Sequence, residues 1–133
     1  MPQDSPAAQD SEPRPRRVLV VEDEALVRLL VAQILEEAGY AVREAAEAKS
    51  ALELLRSGEF IDLMVTDVGL PGLNGKQLAD QARSLRPDLK VLFMTGYADT
   101  GLLDSKLPEG MGLITKPFDL DDLAAKAGSL LNP

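Results

Sequence analysis

The sequence predicts an α/β domain built on a parallel sheet with helices on both faces. Two observations carry that expectation. Short apolar runs alternate five times with segments of helical period, and such alternation implies parallel strands joined by right-handed crossovers. The first run, Val18–Val21 (VLVV), is continuously apolar, as a strand buried on both faces requires. The 133 residues make one domain, long enough to bury about two-thirds of the surface its unfolded chain exposes.

The elements follow in order. Glu22, Asp23 and Glu24 come directly after strand one. A helix is expected over Ala25–Ala38, with Leu26, Leu30 and Ile34 at helical spacing and Gly39 where a C-terminal cap belongs. Tyr40–Glu44 reads as a second strand, less apolar and so nearer an edge. Glu47–Ser57 repeats the helical period through Ala48, Ala51, Leu52 and Leu55, and Gly58 ends it. Ile61–Thr66 (IDLMVT) is the third strand, ended by Asp67. Val68–Gly75 (VGLPGLNG) is a loop, and Lys76–Leu85 is a helix stopped before Pro87. Lys90–Met94 is the fourth strand, leading into Thr95-Gly96. Asp99–Lys106 has room for one or two helical turns among Gly101, Pro108, Gly110 and Gly112. Leu113–Thr115 is the fifth strand, ending at Lys116-Pro117. A last helix starts at Asp119 or Asp121, with Leu120, Leu123, Ala124, Ala127 and Leu130 on one face. Residues 1–15 hold four prolines and no apolar period, so a disordered tail or linker is expected there, with the folded domain over 16–133.

Composition removes whole classes of chemistry. The chain has no Cys and no His. That excludes disulfides, zinc-thiolate sites, thiol nucleophiles, imidazole ligands, a Ser-His-Asp triad and any His phosphodonor within this chain. A net charge of −8 argues against non-specific nucleic-acid binding. There is no run of about 18 apolar residues, and no apolar signal core behind a basic start, so the expected location is the cytosol.

In a parallel sheet the carboxyl ends of the strands share one edge, and ligands bind there where strand order reverses. Those ends carry Glu22-Asp23, Asp67, Thr95 and Lys116. Three carboxylates, a hydroxyl and an ammonium are therefore expected to converge. Close carboxylates repel, so they protonate or take a cation. Hard oxygen ligands suit Mg²⁺, which keeps several waters and a phosphate oxygen. Lys116 offers a point charge to phosphoryl oxygens. Asp67 is then a nucleophile able to accept a phosphoryl group. Taken singly, each residue has a plainer role. The acids after strand one cap a helix. Asp67 is a turn residue, Thr95-Gly96 a loop, and Lys116 a solvated charge. Their joint placement on one edge favours the site. Competing phosphate sites fail on spacing. Gly75-Lys76 is followed by Gln77 and residue 70 is Leu, against a phosphate-binding loop, and Thr115 replaces the last Gly of a dinucleotide fingerprint.

The segments VLVVEDE, LMVTDVGLPGLNG, VLFMTGYA and LITKPF occur together in this order. In these the chain resembles the receiver domains of bacterial two-component response regulators over roughly residues 16–131. The resemblance implies a flavodoxin-like (βα)5 doubly wound parallel sheet of strand order 2-1-3-4-5. It implies Asp67 as phosphoacceptor, and Mg²⁺ on Asp23 and Asp67 with help from Glu22 and the backbone carbonyl of Gly69. Thr95 is the implied switch hydroxyl, Lys116 the phosphate-pairing lysine, and Lys116-Pro117 a cis bond. Many receivers carry Tyr or Phe three residues before that lysine, where this chain has Leu113. The Thr-Gly-Tyr after strand four resembles a subgroup found in hybrid histidine kinases and some stand-alone stress-response receivers. Gly96 and Tyr97 are therefore expected to take part in the switch. The plainer alternative makes Tyr97 a loop residue covering Leu102 or Leu103.

The expected function is a phosphorylatable receiver. It takes a phosphoryl group from the phosphohistidine of a sensor kinase or histidine phosphotransfer protein, then switches conformation toward a protein target. It is expected to be a signalling domain that catalyses its own phosphotransfer and slow dephosphorylation, with no nucleic-acid or membrane partner. One rival is a receiver-like binding module that signals without phosphate. Another is a haloacid-dehalogenase-like phosphatase, which wants an acid two residues after its nucleophile, where Gly69 stands. The sequence ends soon after the last helix, so no effector domain is expected to follow. A single-domain regulator and a piece of a hybrid kinase both fit.

Overall fold

The structure, a computed structural model, describes residues 15–96 and 107–132. Five strands form one parallel sheet: β1 (Arg17–Val21), β2 (Ala41–Ala45), β3 (Leu63–Asp67), β4 (Lys90–Thr95) and β5 (Met111–Thr115). Their spatial order is β2-β1-β3-β4-β5. The described helices are α1 (Ala25–Glu37), α2 (Ala48–Arg56), α3 (Gly75–Leu85) and α4 (Leu120–Leu131). The expected turns over Asp99–Lys106 lie outside the described residues.

The apolar strands explain the two-sided core, because successive side chains leave opposite faces. Leu19, Val21, Met64, Val91 and Phe93 point to one face and pack with Ala51, Leu52 and Leu55 of α2 and Leu78, Ala79 and Ala82 of α3. Val18, Val20, Leu63, Val65, Leu92 and Met94 point to the other, where Val31, Ile34 and Leu35 of α1 and Leu123, Ala127 and Leu131 of α4 cover them. The edge position expected for the second strand holds: Ala45 is the one buried residue of β2, and the strand pairs with β1 alone.

The face expected of α1 holds at Ile34 and fails at Leu26 and Leu30. Leu26 and Leu30 are 86% and 48% exposed, and Leu29 is exposed as well. The inward residues are Val31, Ala32, Ile34 and Leu35, with Val27 partly buried against them. Apolar residues occupy so much of ALVRLLVAQILEE that its period admits more than one inward stripe. Docking on the sheet chooses the stripe, and the Leu26-Leu30 stripe stays in solvent.

Most boundaries shift by one or two residues, and β3 starts at Leu63 rather than Ile61. Strand β5 starts at Met111 rather than Leu113, and β3 keeps Asp67 as its last residue. Helix α3 starts at Gly75, behind an Asn74 cap that the glycine-rich loop concealed. Its side chain accepts from Gln77 N–H at 2.9 Å, while Gln77 Oε1 accepts from Asn74 N–H at 3.0 Å, a reciprocal capping box. Gly39 lies at φ +103° just past α1, the left-handed position in which a Cβ is disfavoured.

Candidate phosphoacceptor site

The carboxyl edge of the sheet gathers the expected residues. Glu22 leaves the end of β1 fully buried, and its N–H still pairs with Ala45 O at 3.1 Å. Asp67 ends β3 at 6% exposure, while Asp23 is exposed. Carboxylate oxygens of Glu22, Asp23 and Asp67 lie within 4.8 Å of one another. Lys116, just past β5, bridges two of them. Its Nζ donates to Asp67 Oδ1 at 3.1 Å and to Glu22 Oε1 at 3.2 Å.

The electrostatics follow from this packing. Burial pushes the Glu22 carboxyl above its ordinary value of 4.5, and the charge of Asp67 adds to that. A hydrogen bond from Glu24 N–H to Glu22 Oε2, at 3.1 Å, and the Lys116 ammonium pull the other way. For Lys116 burial works downward, but the hydrogen bond to Asp67 and the charge of Glu22 outweigh it, so its value is raised. The ammonium thus remains charged and compensates the carboxylates as far as one cation can. Three hard oxygen donors around one point, one of them exposed, match the donor set of Mg²⁺, which retains waters and accepts few carboxylates.

Thr95 ends β4 and is fully buried. Its hydroxyl donates to Gly96 O at 3.0 Å, and its own carbonyl accepts from Lys116 N–H at 2.8 Å. The Lys116-Pro117 bond is cis. Gly69 lies exposed on the turn after Asp67. Leu113 is half-buried, packed against the core cluster that holds Val91 and Phe93. Tyr97, with Leu102 and Leu103, lies outside the described residues.

Two supporting residues were not foreseen. Arg28 on α1 donates from Nη1 to the Glu22 carbonyl at 2.8 Å and from Nε to Glu44 Oε1 at 3.2 Å. Its partners are a backbone oxygen and a residue on another strand, and no motif records either. Gly75 packs against the backbone of Asp67 and Val68; in sequence it reads only as one more loop glycine.

A sequence model of the response regulator receiver domain matches residues 18–127. The chain belongs to that family. This receiver is 37% identical over 117 residues to the response regulator receiver protein CpdR of Brucella abortus, covering 87% of this chain and 97% of CpdR. It is 36% identical over 116 residues to the sensor kinase CckA of the same organism, covering 86% of this chain but 12% of the kinase. Among solved structures, a CheY-like receiver domain protein from Methanospirillum hungatei superposes with a TM-score of 0.81 at 34% identity, covering 90% of this chain and 95% of that one. The receiver domain of the hybrid histidine kinase CckA gives 0.73 at 33% identity, covering 87% and 99%. The five-stranded 2-1-3-4-5 sheet is thus the flavodoxin-like receiver fold.

Proposed function

We propose that this receiver accepts a phosphoryl group on Asp67 from a partner phosphohistidine, with Mg²⁺ held by Glu22, Asp23, Asp67 and the Gly69 carbonyl. The observation that carries the reading is the Lys116 bridge, which joins the candidate acceptor Asp67 to Glu22 at the end of β1. An Asp67 oxygen attacks the phosphorus, the P–N bond breaks, and the electron pair leaves on the donor imidazole. Lys116 turns its ammonium from the carboxylates to the phosphoryl oxygens. Bound Mg²⁺ supplies positive charge for those oxygens and relieves the carboxylate repulsion. Thr95 then leaves its bond to Gly96 O and donates to the phosphoryl group. That movement shifts the strand-four loop, in which Gly96 and Tyr97 take part, and a protein target reads the new surface.

The exposed stripe of α1 supports a protein donor. Leu26, Leu29 and Leu30 face solvent, as does Leu120 on α4. These two helices pack against each other. Both start at the carboxyl edge, so the apolar side chains flank the acceptor where a docking partner has to approach.

The test is Asp67→Asn, which keeps the shape and removes the nucleophilic charge. Intact mass after incubation with a small acyl phosphate and Mg²⁺ should show the phosphoryl adduct in the wild type and none in the variant. An adduct of equal yield in the variant would move the acceptor elsewhere. No adduct in the wild type, from either a small donor or a kinase, would favour a receiver that signals without phosphate.

A further inference from the structure

Helix α3 begins unusually close to the candidate acceptor. A Cβ built on Gly75 would clash with Asp67 O and lie 2.8 Å from Val68 Cα, both of them backbone atoms. Neither can swing aside as a side-chain tip does, so any larger residue forces the strand end and the helix start apart. The approach is bonded as well as tight. Gly75 N–H donates to Val68 O at 2.9 Å, while Val68 N–H donates to Met94 O at 2.9 Å. Val68 is thereby held on both sides, by β4 through its nitrogen and by α3 through its oxygen. It lies between Asp67 and Gly69, two of the proposed oxygen donors. The capping box of Asn74 and Gln77 fixes the first turn of α3 from the other side.

We infer that Gly75 is the positioning residue of the metal and phosphoacceptor site. By lacking a side chain it lets the start of α3 clamp the Val68 peptide, and so sets the directions of the Asp67 carboxylate and the Gly69 carbonyl. This rests on the reading of those two residues as Mg²⁺ ligands. The geometry has to be held closely, since Mg²⁺ demands near-octahedral placement of few protein oxygens. A backbone displacement at Val68 therefore weakens metal binding out of proportion to its effect on folding.

The test compares Mg²⁺ affinity by calorimetric titration across the wild type and three full-length variants. Gly75→Ala adds the one carbon that the backbone excludes. Ala82→Gly loosens the same helix at a buried position remote from Asp67 and controls for stability. The pair Asn74→Ala and Gln77→Ala removes the capping box without adding an atom at the contact, so it tests the clamp even where Gly75→Ala does not fold. Gly75→Ala should raise the Mg²⁺ dissociation constant at least tenfold, and the capping-box variant about threefold. Ala82→Gly should stay within twofold of the wild type while melting lower. Equal Mg²⁺ affinity in Gly75→Ala and Ala82→Gly would overturn the inference, as would an unchanged capping-box variant. Absence of Mg²⁺ binding by the wild type would instead remove the ligand assignment itself, and the inference with it.

Discussion

Lys116 carries the largest share of the site's electrostatics, since it joins two carboxylates that burial has partly stripped of water. Replacing it with Ala leaves Glu22 and Asp67 facing each other without a cation. The expected cost is about 1–3 kcal/mol in metal-free protein, read from urea denaturation. Millimolar Mg²⁺ should recover part of that cost in the variant. The pH dependence has a definite sign. The folded value of Lys116 is raised above its ordinary 10.5, so its contribution is complete below 10.5 and is lost as pH rises through the folded value. Above neutral pH the stability gap between the wild type and Lys116→Ala should therefore narrow only in that alkaline range, while on the acid side it narrows as Glu22, whose carboxyl is raised, takes up its proton. A gap already closed at neutral pH would show that the bridge does not stabilise the fold.

Among the elements, α1 separates packing from function most cleanly. Its inner stripe is core and its outer stripe is exposed leucine. Leu35 is fully buried, so Leu35→Ala should cost about 2–5 kcal/mol. Leu26→Ala should stay within about 0.5 kcal/mol in the same denaturation experiment, yet slow transfer from a protein phosphodonor while leaving transfer from a small acyl phosphate unchanged. If both donors slow alike, the stripe is not a docking surface. Strand β5 makes a similar division. Leu113 is half-buried against the core cluster of Val91 and Phe93, so Leu113→Ala should cost roughly 1–3 kcal/mol and still form the acyl phosphate. A ring at this position in other receivers is read as part of the switch; a variant that loses stability alone would make Leu113 a packing residue.

At the scale of the molecule, the parallel sheet brings distant acids to one edge and leaves their repulsion for a cation to relieve. Binding of Mg²⁺ to the folded state alone should stabilise the receiver by about 1–3 kcal/mol near saturation, seen as a rise in melting temperature. Asp23→Asn should remove most of that rise while leaving the metal-free fold near wild-type stability, because Asp23 is exposed. A melting temperature indifferent to millimolar Mg²⁺ would count against a metal at this edge. The net charge of −8 makes general salt effects real, so the comparison belongs at fixed ionic strength. Among the described residues no helix is long and apolar enough to cross a membrane.

The sequence by itself determined the alternation of strand and helix, and with it the common edge on which Glu22, Asp23, Asp67, Thr95 and Lys116 meet. Those inferences rest on local signals: unbroken apolar runs, glycine stops, and acids at strand ends. The family's segments added the strand order and the cis bond, both of which the structure contains. What only the tertiary structure decided were facts with a partner far along the chain. The inward stripe of α1 depended on which residues the sheet could cover, because its apolar pattern was too broad to choose. Arg28 was invisible because it bonds a backbone carbonyl and a neighbouring strand. The cap at Asn74 was hidden within a glycine-rich loop until the helix behind it had a start. The tight approach of Gly75 to Asp67 could not be read at all, since a missing side chain gains meaning only from the atoms packed against it. Periodicity reports which faces are apolar; only packing reports what each face meets.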